Sequence, residues 1–206
     1  MPKPSDKETR EQRYHRKTKD SFAALGKFVQ EFELMVESVR SGILSLIGQT
    51  HSTVIVLNHS SLTAWPLFEI LRAVVADIVR NPDNKIDSKE GGAADAILKQ
   101  ISTDYSTLLG RRNDLIHGTW RIGWASADAD NFSEIAVSKF KATASGLASV
   151  PPPKDIAELE QLSRQCTDTA HLVRCLIACL AWPSGPRILA NFVCEKKTWT
   201  TTIQRG

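Results

Sequence analysis

Cysteine is sparse in this chain and poorly placed for chemistry. Cys166, Cys175, Cys179 and Cys194 include no C-x-x-C pair, so neither a zinc ribbon nor a dithiol redox motif is available. Three of the four lie in one stretch of helical pattern and read as buried, reduced thiols. His171, Cys175 and Cys179 share a helix face, which packing explains without a metal. Long apolar runs are also missing. The stretch Leu172–Trp182 is too short and too polar to span a bilayer, and no apolar segment of the signal-peptide kind follows Met1, so no membrane partner and a cytoplasmic location are expected. There is no phosphate-binding glycine loop, no zinc spacing and no Ser–His–Asp ordering, which removes the common enzyme classes that rest on them. Neither internal repeats nor low-complexity segments occur.

A strong charge of one sign is lacking too. The formal net charge is +3, and it is unevenly placed. Residues 1–19 hold seven Lys/Arg against three acids, a net of +4, while the remainder holds 19 basic and 20 acidic residues, a net of −1. The body is therefore no general binder of nucleic acid; phosphate affinity has to be local or come from the amino-terminal arm. That arm, 1–19, shows no apolar period and reads as flexible and basic.

What is present is helical periodicity. The 206 residues, 42% of them hydrophobic and 24% charged, suffice for one soluble domain with a sizeable core, expected over 20–206. Phe22, Leu25, Val29, Phe32, Val36, Val39, Ile43 and Leu46 alternate spacings of three and four, which predicts a helix from Asp20 to Ile47 with Gly48 beyond its end. Val54–Leu57 reads as a strand or as the start of a second helix. A further helix is expected from Thr63 to the Asn81-Pro82-Asp83-Asn84 stop. Another, capped by Asp87 or Ser88, carries Ala94, Ile97, Ile101, Tyr105 and Leu108, with a kink or break predicted at Gly110. Alternation then takes over at Thr119–Trp124 and Glu134–Thr143, predicting a β-hairpin over about 119–143. A stiff linker over about 145–154, with Pro151-Pro152-Pro153, leads into a helix from Ile156 to Leu180, and Ile188–Val193 reads as a short final helix. The fold class is mainly α: an up-and-down bundle of four or five helices with a small hairpin.

One stretch gathers catalytically useful side chains: Arg111-Arg112-Asn113-Asp114-Leu115-Ile116-His117-Gly118. Leu108 and Leu115, like Leu109 and Ile116, are seven apart, so an apolar stripe underlies the polar groups. Asn113 and His117, four apart, share a helix face. A guanidinium, an amide and an imidazole near one point suit cleavage of RNA. The imidazole accepts the ribose 2′-hydroxyl proton or returns one to the leaving oxygen. The guanidinium stabilises charge that builds on the phosphate, and the amide orients the ring or donates to a phosphate oxygen. With the 2′-hydroxyl as nucleophile, no metal or other cofactor is required.

Arg112-Asn113-Asp114-Leu115-Ile116-His117 resembles the motif of the HEPN superfamily: arginine, a polar residue, a few mostly apolar residues, then histidine. The resemblance implies a helical bundle acting as a homodimeric, metal-independent endoribonuclease of the toxin or antiviral-defence kind, with Arg112, Asn113 and His117 catalytic. An antitoxin or regulatory protein would then be a partner. Arg111, and Arg121 from the base of the hairpin, are expected to bind substrate. The rival reading keeps the fold and drops the chemistry, giving a HEPN-like scaffold that binds RNA, a ligand or another protein.

Overall fold

The computed structural model describes residues 9–59, 62–84, 86–122, 135–138, 140–143, 146–149, 153, 155–181 and 188–203. The chain is mainly α, a helical bundle with small antiparallel hairpins. Its elements are α1 (Arg10–Ile47), α2 (His51–Leu57), α3 (Ala64–Arg80), a 3₁₀ turn (Pro82–Asn84), α4 (Ser88–Ile116), β1 (Thr119–Ile122), β2 (Ile135–Ser138), β3 (Phe140–Thr143), β4 (Gly146–Ser149), α5 (Ile156–Ala181), α6 (Ile188–Asn191), β5 (Phe192–Glu195) and β6 (Thr198–Thr201). Residues 20–206, expected as one domain, are organised within two compact units. One comprises residues 1–30 and 111–163, the other 31–110 and 164–206.

Helix α1 starts ten residues earlier than the apolar pattern predicts. The segment from Arg10 to Lys19, expected as an arm, is helical because Thr9 caps it. Thr9 Oγ1 accepts from the Gln12 amide at 3.2 Å, and Gln12 Oε1 accepts from the Thr9 amide at 2.9 Å. This reciprocal box satisfies two amides that a helix start otherwise leaves open. At the far end Gly48, at φ +91°, closes the helix as expected, and its amide donates to the Leu44 carbonyl at 3.0 Å. From Phe32 the predicted seam holds, with Phe32, Val36, Val39 and Ile43 buried. Before it the seam is displaced. Ser21, Ala24 and Phe28 are buried and Phe22 is 53% exposed. Two apolar rows run along this part of α1, and a straight helix of 3.6 residues per turn presents the row stepping by four, 24-28-32, to the core.

The undecided stretch Val54–Leu57 is helical. Thr50 and Thr53 form a second capping box, and α2 follows from it. Pro66 sits in the first turn of α3, where no amide is needed. Asp87 caps α4 by accepting from the Lys89 and Glu90 amides at 2.9 Å each.

In the unit holding residues 31–110 and 164–206, the core is aromatic where α1, α3 and α4 meet. Tyr105 stacks on Phe68 with centroids 4.8 Å apart, lies 6.4 Å from Phe32, and donates its hydroxyl to the Ala64 carbonyl at 2.9 Å. Against α5, α1 approaches closely at Gly42, where a Cβ would stand 2.9 Å from Ile177 Cγ1. Gly110 on α4, by contrast, faces open space. The same substitution should therefore act in opposite directions. Gly42→Ala is expected to destabilise by about 1–3 kcal/mol through overpacking. Gly110→Ala is expected to stabilise by about 0.5–1 kcal/mol through helix propensity. Denaturant titrations of the two variants read both signs.

The hairpins differ from expectation in detail. β1 pairs with β2, Thr119 opposite Ser138 and Ile122 opposite Ile135. The predicted second strand divides, because β3 turns away to pair with β4, Phe140 opposite Ser149. Gly146–Ser149, expected within the linker, is therefore a strand; the polar stretch Ala125–Asn131 and most of the proline run lie outside the described residues. The predicted final helix ends at Asn191, and Phe192 opens a third hairpin, β5–β6. Its turn residues Lys196 and Lys197 have φ of 49° and 69°.

Candidate functional site

The stretch Arg111–Gly118 occupies the last six residues of α4 and the two residues after it. Gly110 does not interrupt the helix. A glycine costs a helix interior about 1 kcal/mol, and burial of Leu108 before it and Leu115 after it outweighs that. The kink or break expected at Gly110 is therefore absent. These residues end α4, where unpaired carbonyls carry partial negative charge. Any phosphate affinity at this end must come from side chains.

The side chains divide in a way the spacing foretells. Successive residues turn by about 100°, so Asn113 and His117 differ by about 40° around the axis and Arg112 and His117 by about 140°. Arg112 is half-buried, and its Nη1 donates to Asn113 Oδ1 at 3.4 Å. In an asparagine amide the oxygen accepts and the nitrogen donates, so this bond uses the accepting end of Asn113. The His117 amide donates to the Asn113 carbonyl at 3.3 Å, which fixes the backbone beyond the last helical residue. The His117 ring is exposed, and no described residue hydrogen-bonds to it. It is therefore open to solvent.

Arg111 turns elsewhere. Its Nη2 pairs with Glu158 Oε1 at 2.5 Å, both side chains being mostly buried. This joins the end of α4 to the first turn of α5, itself capped where Asp155 Oδ1 accepts from the Glu158 amide at 2.9 Å. Arg121 lies on β1, in register with Ala136. Asp114, passed over in the sequence as a spacer, is buried. A carboxylate in the same turn as two arginines offsets part of their charge and needs polar partners of its own. The signal for it was an acid two residues after a pair of arginines.

The stripe beneath holds: Leu115 is buried, and Leu109 and Ile116 are half-buried. Of the cysteines, Cys166, Cys175 and Cys179 are buried and Cys194 exposed. Burial pushes the Cys166 thiol up to about 12 and the Cys179 thiol up to about 11, so both stay protonated and unreactive at neutral pH. Among the described residues, no three His, Cys, Asp or Glu side chains gather so as to hold a metal ion. No described helix is long and apolar enough to cross a membrane. Compared with protein-family models, curated proteins and solved structures, the chain matches none.

Proposed function

We propose that the chain is a HEPN-type endoribonuclease that cuts RNA by 2′-hydroxyl transesterification without a metal. The observation that carries this reading is the geometry at the end of α4. An exposed imidazole stands four residues from an amide, and that amide is hydrogen-bonded to a half-buried guanidinium. His117 takes the proton of the 2′-hydroxyl as its oxygen attacks phosphorus. The 5′-oxygen leaves as the bond to phosphorus breaks and takes up a proton. Arg112 stabilises the charge on the phosphoryl oxygens, and Asn113 holds the ring or a phosphate oxygen. Arg111 brings its charge already balanced by Glu158, and Arg121 is proposed to contact the substrate strand.

One histidine serves two proton transfers poorly. Two copies related by a two-fold axis would supply two imidazoles and two guanidiniums, so a homodimer belongs to this reading. Sedimentation is expected to show a dimer at micromolar concentration; a monomer with full activity would overturn that part. A cytoplasmic setting and an antitoxin or other regulatory protein fit the same reading.

Incubation of generic RNA with the protein in EDTA is expected to give products ending in 2′,3′-cyclic phosphate and 5′-hydroxyl. Activity lost to the chelator and restored by magnesium would refute the mechanism. The scaffold reading has its own support in α2, where Ile55 is 57% and Val56 59% exposed, an apolar patch of the kind that meets partners. Wild-type protein that binds RNA or a protein and leaves RNA intact would favour it.

A further inference from the structure

The turn of the last hairpin is made of residues that suit it poorly. β5 and β6 pair Glu195 with Thr198, which leaves Lys196-Lys197 as a two-residue loop. Both lysines have positive φ, 49° and 69°. A loop of this shape favours asparagine and glycine, because a longer side chain in the left-handed region crowds the backbone. A lysine pair adds strain and brings two ammonium groups. Backbone strain of this kind collects where a protein binds or reacts.

The hairpin is gripped by α4. The Gln100 side chain holds the Trp199 backbone, its Nε2 donating to the carbonyl at 3.1 Å and its Oε1 accepting from the amide at 2.7 Å. Both residues also line a cavity of about 410 Å³ within the unit formed by residues 31–110 and 164–206. Lys99 from α4 and Lys197 from the turn line it too, with Thr103, Thr198 and one carboxylate, Asp104. Lys99 and Lys197 are exposed and make no ion pair with a described residue. The Trp199 indole is half-buried and stacks on no described ring.

Two ammonium groups and an aromatic face on one cavity are the parts that hold a nucleotide of a single strand. Lysines attract phosphate, and every base has a π-face to lay on an indole. A simple anion would use the lysines and leave the indole idle; an apolar ligand would do the reverse. We infer that the β5–β6 hairpin grips single-stranded RNA, with phosphate on Lys99 and Lys197 and a base stacked on Trp199. The inference rests on the endoribonuclease reading for its choice of RNA.

The test uses the full chain and a short labelled 2′-O-methyl RNA, which lacks the attacking hydroxyl and stays whole. Inorganic polyphosphate serves as the probe of charge alone, and binding is followed by fluorescence anisotropy. Lys196→Asn combined with Lys197→Gly is expected to raise Tm by about 2–4 °C, so that lost binding is not lost folding. The same variant should bind RNA about tenfold more weakly, its slope of log affinity against log salt shallower by about 0.7 to 1.4. Trp199→Leu should weaken RNA binding about tenfold or more and leave polyphosphate binding unchanged. If the turn variant fails to fold, Lys99→Gln carries the same measurement. No binding by the unaltered chain, affinity and salt slope unchanged in the lysine variants, or RNA binding untouched by Trp199→Leu each overturns the proposal. RNA bound in this manner by a chain that leaves ordinary RNA intact supports the grip and overturns the cleavage reading alone.

Discussion

His117→Ala is expected to slow RNA cleavage by about 10² to 10⁴ while the protein keeps its fold, the usual loss on removing a positioned acid–base group. The ring is exposed, and no described residue hydrogen-bonds to it, so its removal leaves no unsatisfied partner. Arg112→Ala should cost about 10² to 10³, the loss of a charge-stabilising donor. This side chain is half-buried and meets Asn113, so part of its effect could act through packing of its stem. Arg112→Lys separates the two, since it keeps the stem and the charge and loses the planar fork. Leu115→Ala supplies the contrast one turn deeper: it should cost about 2–5 kcal/mol of stability because the leucine is buried. Circular dichroism and cleavage rates read on the same samples decide the matter. An unfolded His117→Ala makes the histidine structural; a folded one cutting at the wild-type rate removes the catalytic reading and leaves the scaffold.

Tyr105→Ala should be the most damaging single change in the aromatic core, lowering stability by about 3–5 kcal/mol. The ring is fully buried, stacked on Phe68 with Phe32 nearby, so its removal leaves a cavity. Tyr105→Phe keeps the stack and loses the hydrogen bond to Ala64, at about 0.5–1.5 kcal/mol. Urea midpoints of the pair divide packing from hydrogen bonding. Burial, with Glu33 nearby, pushes the phenol well above its ordinary value of 10.0. Ionisation is then harder in the folded chain than in the unfolded one. The stability this group contributes is whole below about pH 10 and is lost as pH rises beyond it. The phenylalanine variant should lack that alkaline loss.

What could be read in advance followed the buried side chains. From Phe32 onward α1 announced itself, as did α5 from Leu159 to Leu180, because a buried stripe repeats and periodicity reports burial. The start of α1 was illegible to that method. Between Arg10 and Lys19 the helix rests on a capping box at Thr9 and Gln12, and the signal lay in two polar residues three apart. Gly110 misled in the other direction. Glycine marks a break by propensity, yet Leu108 and Leu115 on either side of it decide for the helix. At the candidate site the Asn113–His117 spacing was legible, being local geometry. The pairing of Arg111 with Glu158 was not, since it joins residues 47 apart. The β5–β6 hairpin escaped because its turn holds Lys196 and Lys197 where asparagine or glycine is the usual mark; Thr198-Trp199-Thr200-Thr201 was the remaining clue.

That lysine turn bears on the order in which the molecule assembles. Two adjacent side-chain-bearing residues in the left-handed region work against local closure, at about 1–2 kcal/mol each. A two-stranded ribbon of four residues a side has little to set against that on its own. Among the contacts that hold it is the Gln100 clamp on Trp199, across 99 residues of chain. The ends of that long loop meet only once α4 exists to present Gln100, and loop-closure entropy makes such meetings slow. The hairpin is therefore expected to form late in folding, after α4 is in place.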